Sequence, residues 1–572
     1  MSAVVNISNL KHKPTRTLGL WAVIAISLSS MLGSGVFVLP AFAANTMGDG
    51  IWLAYLLAAT VVLPAALSKS ELASAMPSSG GSYVYLERTF GPFFGTISGI
   101  WLWSSFLLKS AFALIGFQAY LYIVTQSLNL EVEPTTLGLL FLILIVILNI
   151  LGVAKIKVVQ SIIVVIATTS MILLCCAALL SDDANLSKPI ASKAFESGFW
   201  SLAETAALVF VAYAGVTKIA AIAGEVKSPA KTLPQGMILS LIIAAALYSL
   251  VGYSIMAVLP DNWWLDPQGE IVKNPIYHFA VAVGGKGVAL AVAILAIFTM
   301  ASMALSGVLA SSRFGFAMAR DNLLPQALED VNPQFETPHI AILITGVLMA
   351  GAIVWLPVED IAKLVSGVQI MVFTLICFAL IVLRTTVHKD EGEKRWYRPK
   401  YESPLFPWMQ IWGICGGSYL LYTMGSNALI GASATAIVGI VIYFGYGRYH
   451  VVDQRTPYHR FKSRLLMPNS EHHADTARSI EEFRELMRHP SRDEHNRRAA
   501  AFHAADMGGK NHLTLLEFKR AMFALGYDYD EDDLREIFHA ADENEDGVLD
   551  IDQFLDHFEK DFEIDSSADK QR

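Results

Sequence analysis

Gly33-Ser34-Gly35 lies inside the apolar stretch 18–44, which also contains Pro40. A helix in hydrocarbon tolerates such a break only where the freed N–H and C=O groups face protein, water or a ligand. Peptide groups opened at that depth form a binding site for a small zwitterion. A second interruption, Phe210-Val211-Ala212-Tyr213-Ala214-Gly215-Val216-Thr217-Lys218, falls in the apolar stretch 199–224. The competing reading of both is that small residues let helices pack closely.

Lys109 sits near the middle of another apolar run, in Ser104-Ser105-Phe106-Leu107-Leu108-Lys109-Ser110. An ammonium at that depth is expensive and too far from either surface to snorkel. Lys109 is expected to be a coupling group that sheds and regains a proton during turnover. The alternative is a lysine locked to carbonyls or a hydroxyl as structural glue. Lys218 lies about two turns before Glu225, either on an exit path or paired at the membrane edge.

The elements that must position these residues are membrane helices. The 572 residues are 54% hydrophobic and 16% charged, more apolar surface than a soluble chain of this size can hide. About twelve apolar runs recur, at 18–44, 50–68, 92–123, 135–153, 158–180, 199–224, 235–259, 286–312, 338–357, 359–384, 405–424 and 427–446. Each approaches the ~20 residues that span a bilayer. Five runs separate the start of the first broken span from that of the second, so the two run in opposite directions, as inverted repeats require. The fold expected is all-α, with about 12 transmembrane helices in a 5+5 inverted repeat, helices 1 and 6 broken, plus a cytoplasmic helical domain. Arg88, Lys155, Lys157, Lys227, Lys231, Arg313, Arg320 and the basic cluster Arg384 to Lys400 mark one side; only Lys188, Lys193, Lys273 and Lys286 mark the other. That asymmetry places both termini in the cytoplasm. Cys175, Cys176, Cys377 and Cys415 all lie in apolar runs and read as packing residues. No P-loop, HExxH or GxSxG segment argues for an enzyme, and nothing points to nucleic acid.

The expected organisation is a cytoplasmic N-terminus at 1–16, a membrane domain at 17–446, a basic juxtamembrane segment and linker at 447–485, a soluble helical pair at 486–563 and a polar tail at 564–572. The pair carries two loops. In the second, Asp542, Asn544, Asp546, Val548, Asp550 and Gln553 fall at positions one, three, five, seven, nine and twelve of a helix–loop–helix calcium loop, with Gly547 at the sharp turn. Gln553 stands where a bidentate Glu is usual, which implies weak Ca2+ binding and lets Mg2+ compete. The first loop, Asp506 to Glu517, has Gly508 and Lys510 at ligand positions and reads as a structural partner. The alternative for the whole tail is a metal-free docking pair for a cytoplasmic partner.

Met31-Leu32-Gly33-Ser34-Gly35-Val36-Phe37-Val38-Leu39-Pro40 resembles the first-span motif of the amino acid–polyamine–organocation (APC) transporter superfamily. Glu71-Leu72 through Pro77 with Gly80-Gly81-Ser82-Tyr83, Gly224-Glu225-Val226-Lys227-Ser228-Pro229, and Arg313 through Met318-Ala319-Arg320-Asp321-Asn322-Leu323-Leu324-Pro325 with Thr337-Pro338 resemble its later segments. The tail resembles EF-hand pairs, which are not a usual part of such permeases.

The resemblance implies secondary transport of an amino acid held at Gly33, Ser34, Gly35, Phe210, Ala212, Tyr213, Ala214 and Gly215. N–H groups near Ser34 and Gly35 would take the carboxylate, and carbonyls from Phe210 to Tyr213 the ammonium. No cofactor is needed for transport. Several family members carry a lysine midway along span five; here Ala167 falls near that place. Either Lys109 has taken the role, coupling transport to protons, or sodium binds between span-one carbonyls and Ser302 or Ser306. Glu71, Glu225 and Arg320 are expected at inner span ends as gate contacts or as ordinary surface charges. The leading function is a cytoplasmic-membrane amino acid transporter with calcium-dependent regulation by its tail. A membrane receptor signalling through the tail is the alternative.

Overall fold

The computed structural model describes residues 18–76, 81–129, 133–152, 156–182, 184–216, 218–219, 226–332, 335, 337–386, 397, 399–450 and 458. In the tail it describes 502, 505, 512–525, 531–542, 547–551 and 553–555. The chain divides into two compact units, Met1–Lys462 and Ser463–Arg572.

The first unit is helical. Its elements are α1 (Leu20–Met31), α2 (Ser34–Phe37), α3 (Leu39–Met47), α4 (Ile51–Ala75), α5 (Ser82–Phe90), α6 (Pro92–Ser127), α7 (Pro134–Ile150), α8 (Ile156–Leu179), α9 (Gly198–Tyr213), α10 (Pro229–Val258), α11 (Pro275–Arg320), α12 (His339–Trp355), α13 (Val358–Thr386), α14 (Trp408–Thr423) and α15 (Ser426–Ile442). Among the described residues, eight helical stretches are long and apolar enough to cross a membrane. Leu140, Ile143 and Ile147 on α7, Val165 and Leu173 on α8, and Val347, Leu348 and Trp355 on α12 turn outward and are exposed. An outer surface this apolar belongs in hydrocarbon, and the unit is a multi-pass membrane domain.

The boundaries differ most from the sequence expectation at three places. The second run was read as ending at residue 68, but α4 continues to Ala75. Nothing in Ser68-Lys69-Ser70-Glu71 opposes a helix, so polarity marks only where the sequence signal fades. The sixth was read to 224, yet regular helix stops at Tyr213. The eighth was read from 286, whereas α11 starts at Pro275 and passes a non-helical Gly285 at φ 74°. A residue without Cβ accepts that left-handed kink.

The second unit holds a small core of Phe502, Leu513, Phe518, Phe538, Leu549 and Phe554. Helices Leu515–Leu525 and Glu531–Ala541 flank it. The all-α expectation missed a two-stranded sheet: β1 (His512–Thr514) pairs antiparallel with β2 (Val548–Asp550), with Leu513 opposite Leu549. The two predicted loops are thereby joined, and each saturates backbone groups the other leaves open.

Candidate functional site

The first break is built from close approach. α1 ends at Met31, and Leu32 and Gly33 leave helical geometry before α2 begins. Gly33 is extended, a conformation any residue adopts; an added Cβ would lie 2.2 Å from the Sδ of Met303 of α11, so that side chain would have to swing aside. The Ser34 hydroxyl also points at that sulfur, 3.9 Å away. Val36 and Phe37 N–H groups bond back to the Gly33 carbonyl at 3.1 and 3.0 Å. Ser34 and Gly35, as the first residues of a new helical turn, have N–H groups with no carbonyl one turn back. After Val38 the chain re-enters helix, with Pro40 in the first turn of α3, where its missing N–H costs nothing.

The second break meets the first. α9 ends at Tyr213, and Ala214 caps it by bonding to the Val211 carbonyl. A Cβ on Gly215 would lie 2.4 Å from the Ser30 carbonyl oxygen and 2.7 Å from the Met31 nitrogen. A Cβ on Gly35 would come within 2.8 Å of Ala212 Cβ and 3.2 Å of the Tyr248 hydroxyl. Gly35, Ala212 and Gly215 are therefore brought together at backbone contact. Thr217, in the same interruption, lies outside the described residues, and so does Glu225.

Lys109 of α6 joins this junction. Its Nζ donates to the Ser30 carbonyl at 2.8 Å, one residue before α1 ends, and the residue is buried. Ser27 on the preceding turn reaches the Val216 carbonyl at 3.5 Å and Ser240 Oγ at 2.8 Å.

Four buried tyrosines strap the broken segments, and sequence reasoning missed three of them. Tyr55 donates to the Gly35 carbonyl at 3.2 Å, Tyr213 to the Tyr55 carbonyl at 2.9 Å, and Tyr248 to the Ala212 carbonyl at 3.4 Å. Tyr120 donates to the Phe37 carbonyl at 2.8 Å and accepts from the Ile276 N–H at 3.2 Å, linking α2 to the start of α11. The available signal was that a phenol deep in an apolar run must find a partner. Ser366 of α13 was also missed: its hydroxyl accepts from Val211 N at 3.0 Å and donates to the Leu208 carbonyl at 2.8 Å, entering the last turns of α9.

Other expected residues go elsewhere. Phe210 turns its ring to Phe373 of α13, centroids 5.5 Å apart. The Ser306 hydroxyl bonds back to the Met303 carbonyl at 3.0 Å, and the Ser302 carbonyl accepts from Gln160 at 3.2 Å. The surface-charge reading of Glu71 is overturned. It is fully buried; its carboxylate takes Arg384 Nε at 2.7 Å, the Tyr397 hydroxyl at 2.9 Å, the Ser403 N–H at 2.6 Å and a second Arg384 nitrogen. Burial and the adjoining carboxylate hold the Tyr397 phenol well above its ordinary range, so it stays a donor. Arg320 is partly exposed, 4.0 Å from Asp321.

In the tail, Gly547 has φ 80° and donates its N–H to Asp542 Oδ2 at 2.9 Å, the tight turn the loop pattern requires. Asp550 and Gln553 bond reciprocally: Asp550 N to Gln553 Oε1 at 3.0 Å and Gln553 N to Asp550 Oδ1 at 2.8 Å. Thr514 bonds to Glu517 Oε2 through its N–H and its hydroxyl. The second loop thus leads into its helix through a reciprocal capping box, and the first through the Glu517 half of one. Asn544 and Asp546 lie outside the described residues, as do Gly508 and Lys510.

The family model described as "Amino acid permease" matches residues 18–458. The branched-chain amino acid permease BcaP of Bacillus subtilis is 28% identical over 456 residues, covering 76% of this chain and 94% of that protein. The serine/threonine exchanger SteT of the same organism is 28% identical over 450 residues, covering 75% and 96%. A solved structure of a Na+-coupled sialic acid symporter in a substrate-bound, outward-open state shares 14% identity at a TM-score of 0.47, covering 74% of this chain and 91% of that one.

Proposed function

The chain belongs to the amino acid permease family, and from that premise we propose that it carries an amino acid across the cytoplasmic membrane by alternating access. Twelve spans in a five-plus-five inverted repeat, with both termini cytoplasmic, is the topology that suits this. The observation that carries the reading is the contact between the two breaks, Gly35 on Ala212 and Gly215 on Ser30. Two interrupted helices that touch through backbone offer N–H groups at Ser34 and Gly35 and carbonyls from Phe210 to Tyr213 within one small volume. A carboxylate suits the first set and an ammonium the second. BcaP and SteT differ in the substrates their names state at equal identity to this chain, so the side chain of the cargo is open.

Proton coupling through Lys109 is the finer part of the proposal. Its ammonium bonds the Ser30 carbonyl, at the end of α1, where a bound cation would otherwise be coordinated. The Ser306 hydroxyl donates within its own helix and keeps its lone pairs for a cation, so a sodium ion held there stays the alternative. Saturable uptake and counterflow of labelled amino acids in proteoliposomes, under proton and sodium gradients in turn, test both levels. Binding without flux would support the receptor alternative. Flux that follows only sodium would remove Lys109 from the coupling role.

Calcium- or magnesium-dependent regulation by the tail is a second reading, supported by the Asp542–Gly547 turn and the β1–β2 pairing of the loops. Asp542, Asn544, Asp546, Asp550 and the Val548 carbonyl would hold the ion, and Gln553 would have to exchange its contact with the Asp550 N–H to join them.

A further inference from the structure

Lys69 of α4 is 2% exposed. Its ammonium lies 6.0 Å from the centroid of the Phe373 ring on α13. Among the described residues, no carboxylate, carbonyl or hydroxyl pairs with it. The carboxylate two residues further on does not serve: Glu71 is occupied by Arg384, Tyr397 and the Ser403 N–H. An unpaired buried ammonium costs far more than an aromatic face returns.

The ring it faces leads to the candidate site. Phe373 meets Phe210 edge-on at 5.5 Å, and Phe210 stands in the last turn of α9, where the helix opens. One side of this aromatic pair is the substrate junction and the other is a cation without an anion. A permanent counter-ion from the protein would hold Lys69 closed. A passing one, carried by the cargo, would satisfy it only during transit.

We propose that Lys69 is a carboxylate-binding subsite beside the helix breaks, occupied by a carboxylate of the cargo between the junction and the C-terminal end of α4. This rests on the permease reading above. The carboxylate is the side-chain carboxylate of an acidic cargo, whose α-carboxylate stays on the Ser34 and Gly35 N–H groups; it accepts charge-assisted hydrogen bonds from the ammonium.

The test uses the full chain in proteoliposomes, with binding and counterflow of L-glutamate, L-glutamine and L-leucine for the wild type, Lys69→Gln and Lys69→Arg. A wild type that binds and moves none of a full amino acid panel sinks the permease reading and not the subsite in particular. Loss of about tenfold or more in glutamate affinity in Lys69→Gln, with glutamine unchanged, assigns the side-chain carboxylate. Equal losses for every cargo mark a general structural effect and overturn the proposal. Lys69→Arg should recover most of the lost glutamate affinity. Unchanged affinity and rate for all cargoes in Lys69→Gln overturns the proposal. Because that variant could misfold, its thermal midpoint in detergent is read beside that of the wild type: a lost glutamate affinity with an unchanged midpoint supports the proposal, and a loss that only follows a lowered midpoint overturns it.

Discussion

The Nζ of Lys109 and the carbonyl oxygen of Ser30 are 2.8 Å apart, and an added Cβ on Gly215 would stand 2.4 Å from that same oxygen. One carbonyl at the end of α1 is thus the meeting point of the first break, the second break and the buried lysine. Lys109→Met should lower proton-driven uptake by at least about tenfold, since it leaves that carbonyl without its donor. Lys109→Arg keeps the charge but not the proton exchange, so it should retain substrate binding and lose gradient dependence. Uptake driven by a pH jump, compared with counterflow at equal pH, measures the split.

Gly215→Ala places a methyl group against backbone atoms that cannot rotate away. A cost of about 1–3 kcal/mol is expected from overpacking of this kind. It should appear as a lower thermal midpoint in detergent together with reduced counterflow. Gly287→Ala is the control, because nothing lies within 4 Å of that position.

Glu71→Gln breaks a buried pair and leaves the Arg384 guanidinium without its anion. Removing one member of such a pair costs about 3–5 kcal/mol. The partly exposed pair of Lys363 and Glu359, 2.7 Å apart on α13, is worth about 0.3–0.5 kcal/mol, and Lys363→Ala should hardly move the midpoint. Denaturation of the two variants side by side reads the contrast.

Ser366→Ala removes the hydroxyl that bridges the Val211 N–H and the Leu208 carbonyl inside the last turns of α9. Losing these two buried hydrogen bonds costs about 1–3 kcal/mol. Because this bridge lies beside the second break, substrate affinity should fall along with stability, whereas Ser366→Thr keeps the hydroxyl and should preserve both. Equilibrium binding of labelled substrate separates these outcomes.

Gln553→Glu supplies the bidentate carboxylate missing from the second loop. Calorimetric titration of the full chain should show tighter Ca2+ binding in this variant and none in Asp542→Ala. Heat that is identical in all three chains would leave the loop without a metal role.

Much of the fold could be read from hydrophobic run length, because hydrocarbon imposes one length on every spanning helix. The break at Gly33 was visible for a related reason, since glycines flanking a serine deep in such a run have few uses other than close approach. The extent of α4 was not visible. Ser68-Lys69-Ser70-Glu71 looks like a helix end to any hydropathy reading, and it is the packing of α13, Tyr397 and Ser403 against it that makes those polar residues interior.

Sequence alone determined that this chain crosses a membrane, that two of its spans are interrupted, and that a lysine lies deep in a third. These follow from composition and local spacing, which act through each residue's own solvation and backbone freedom. Tertiary structure decided what the interruptions touch. It put Gly215 on Ser30, gave Lys109 that carbonyl, threaded Ser366 into α9 and left Lys69 over Phe373 with no anion. Each of those contacts joins helices far apart along the chain, and which partner a buried polar group finds is set by how the helices pack, a property no local window of sequence contains.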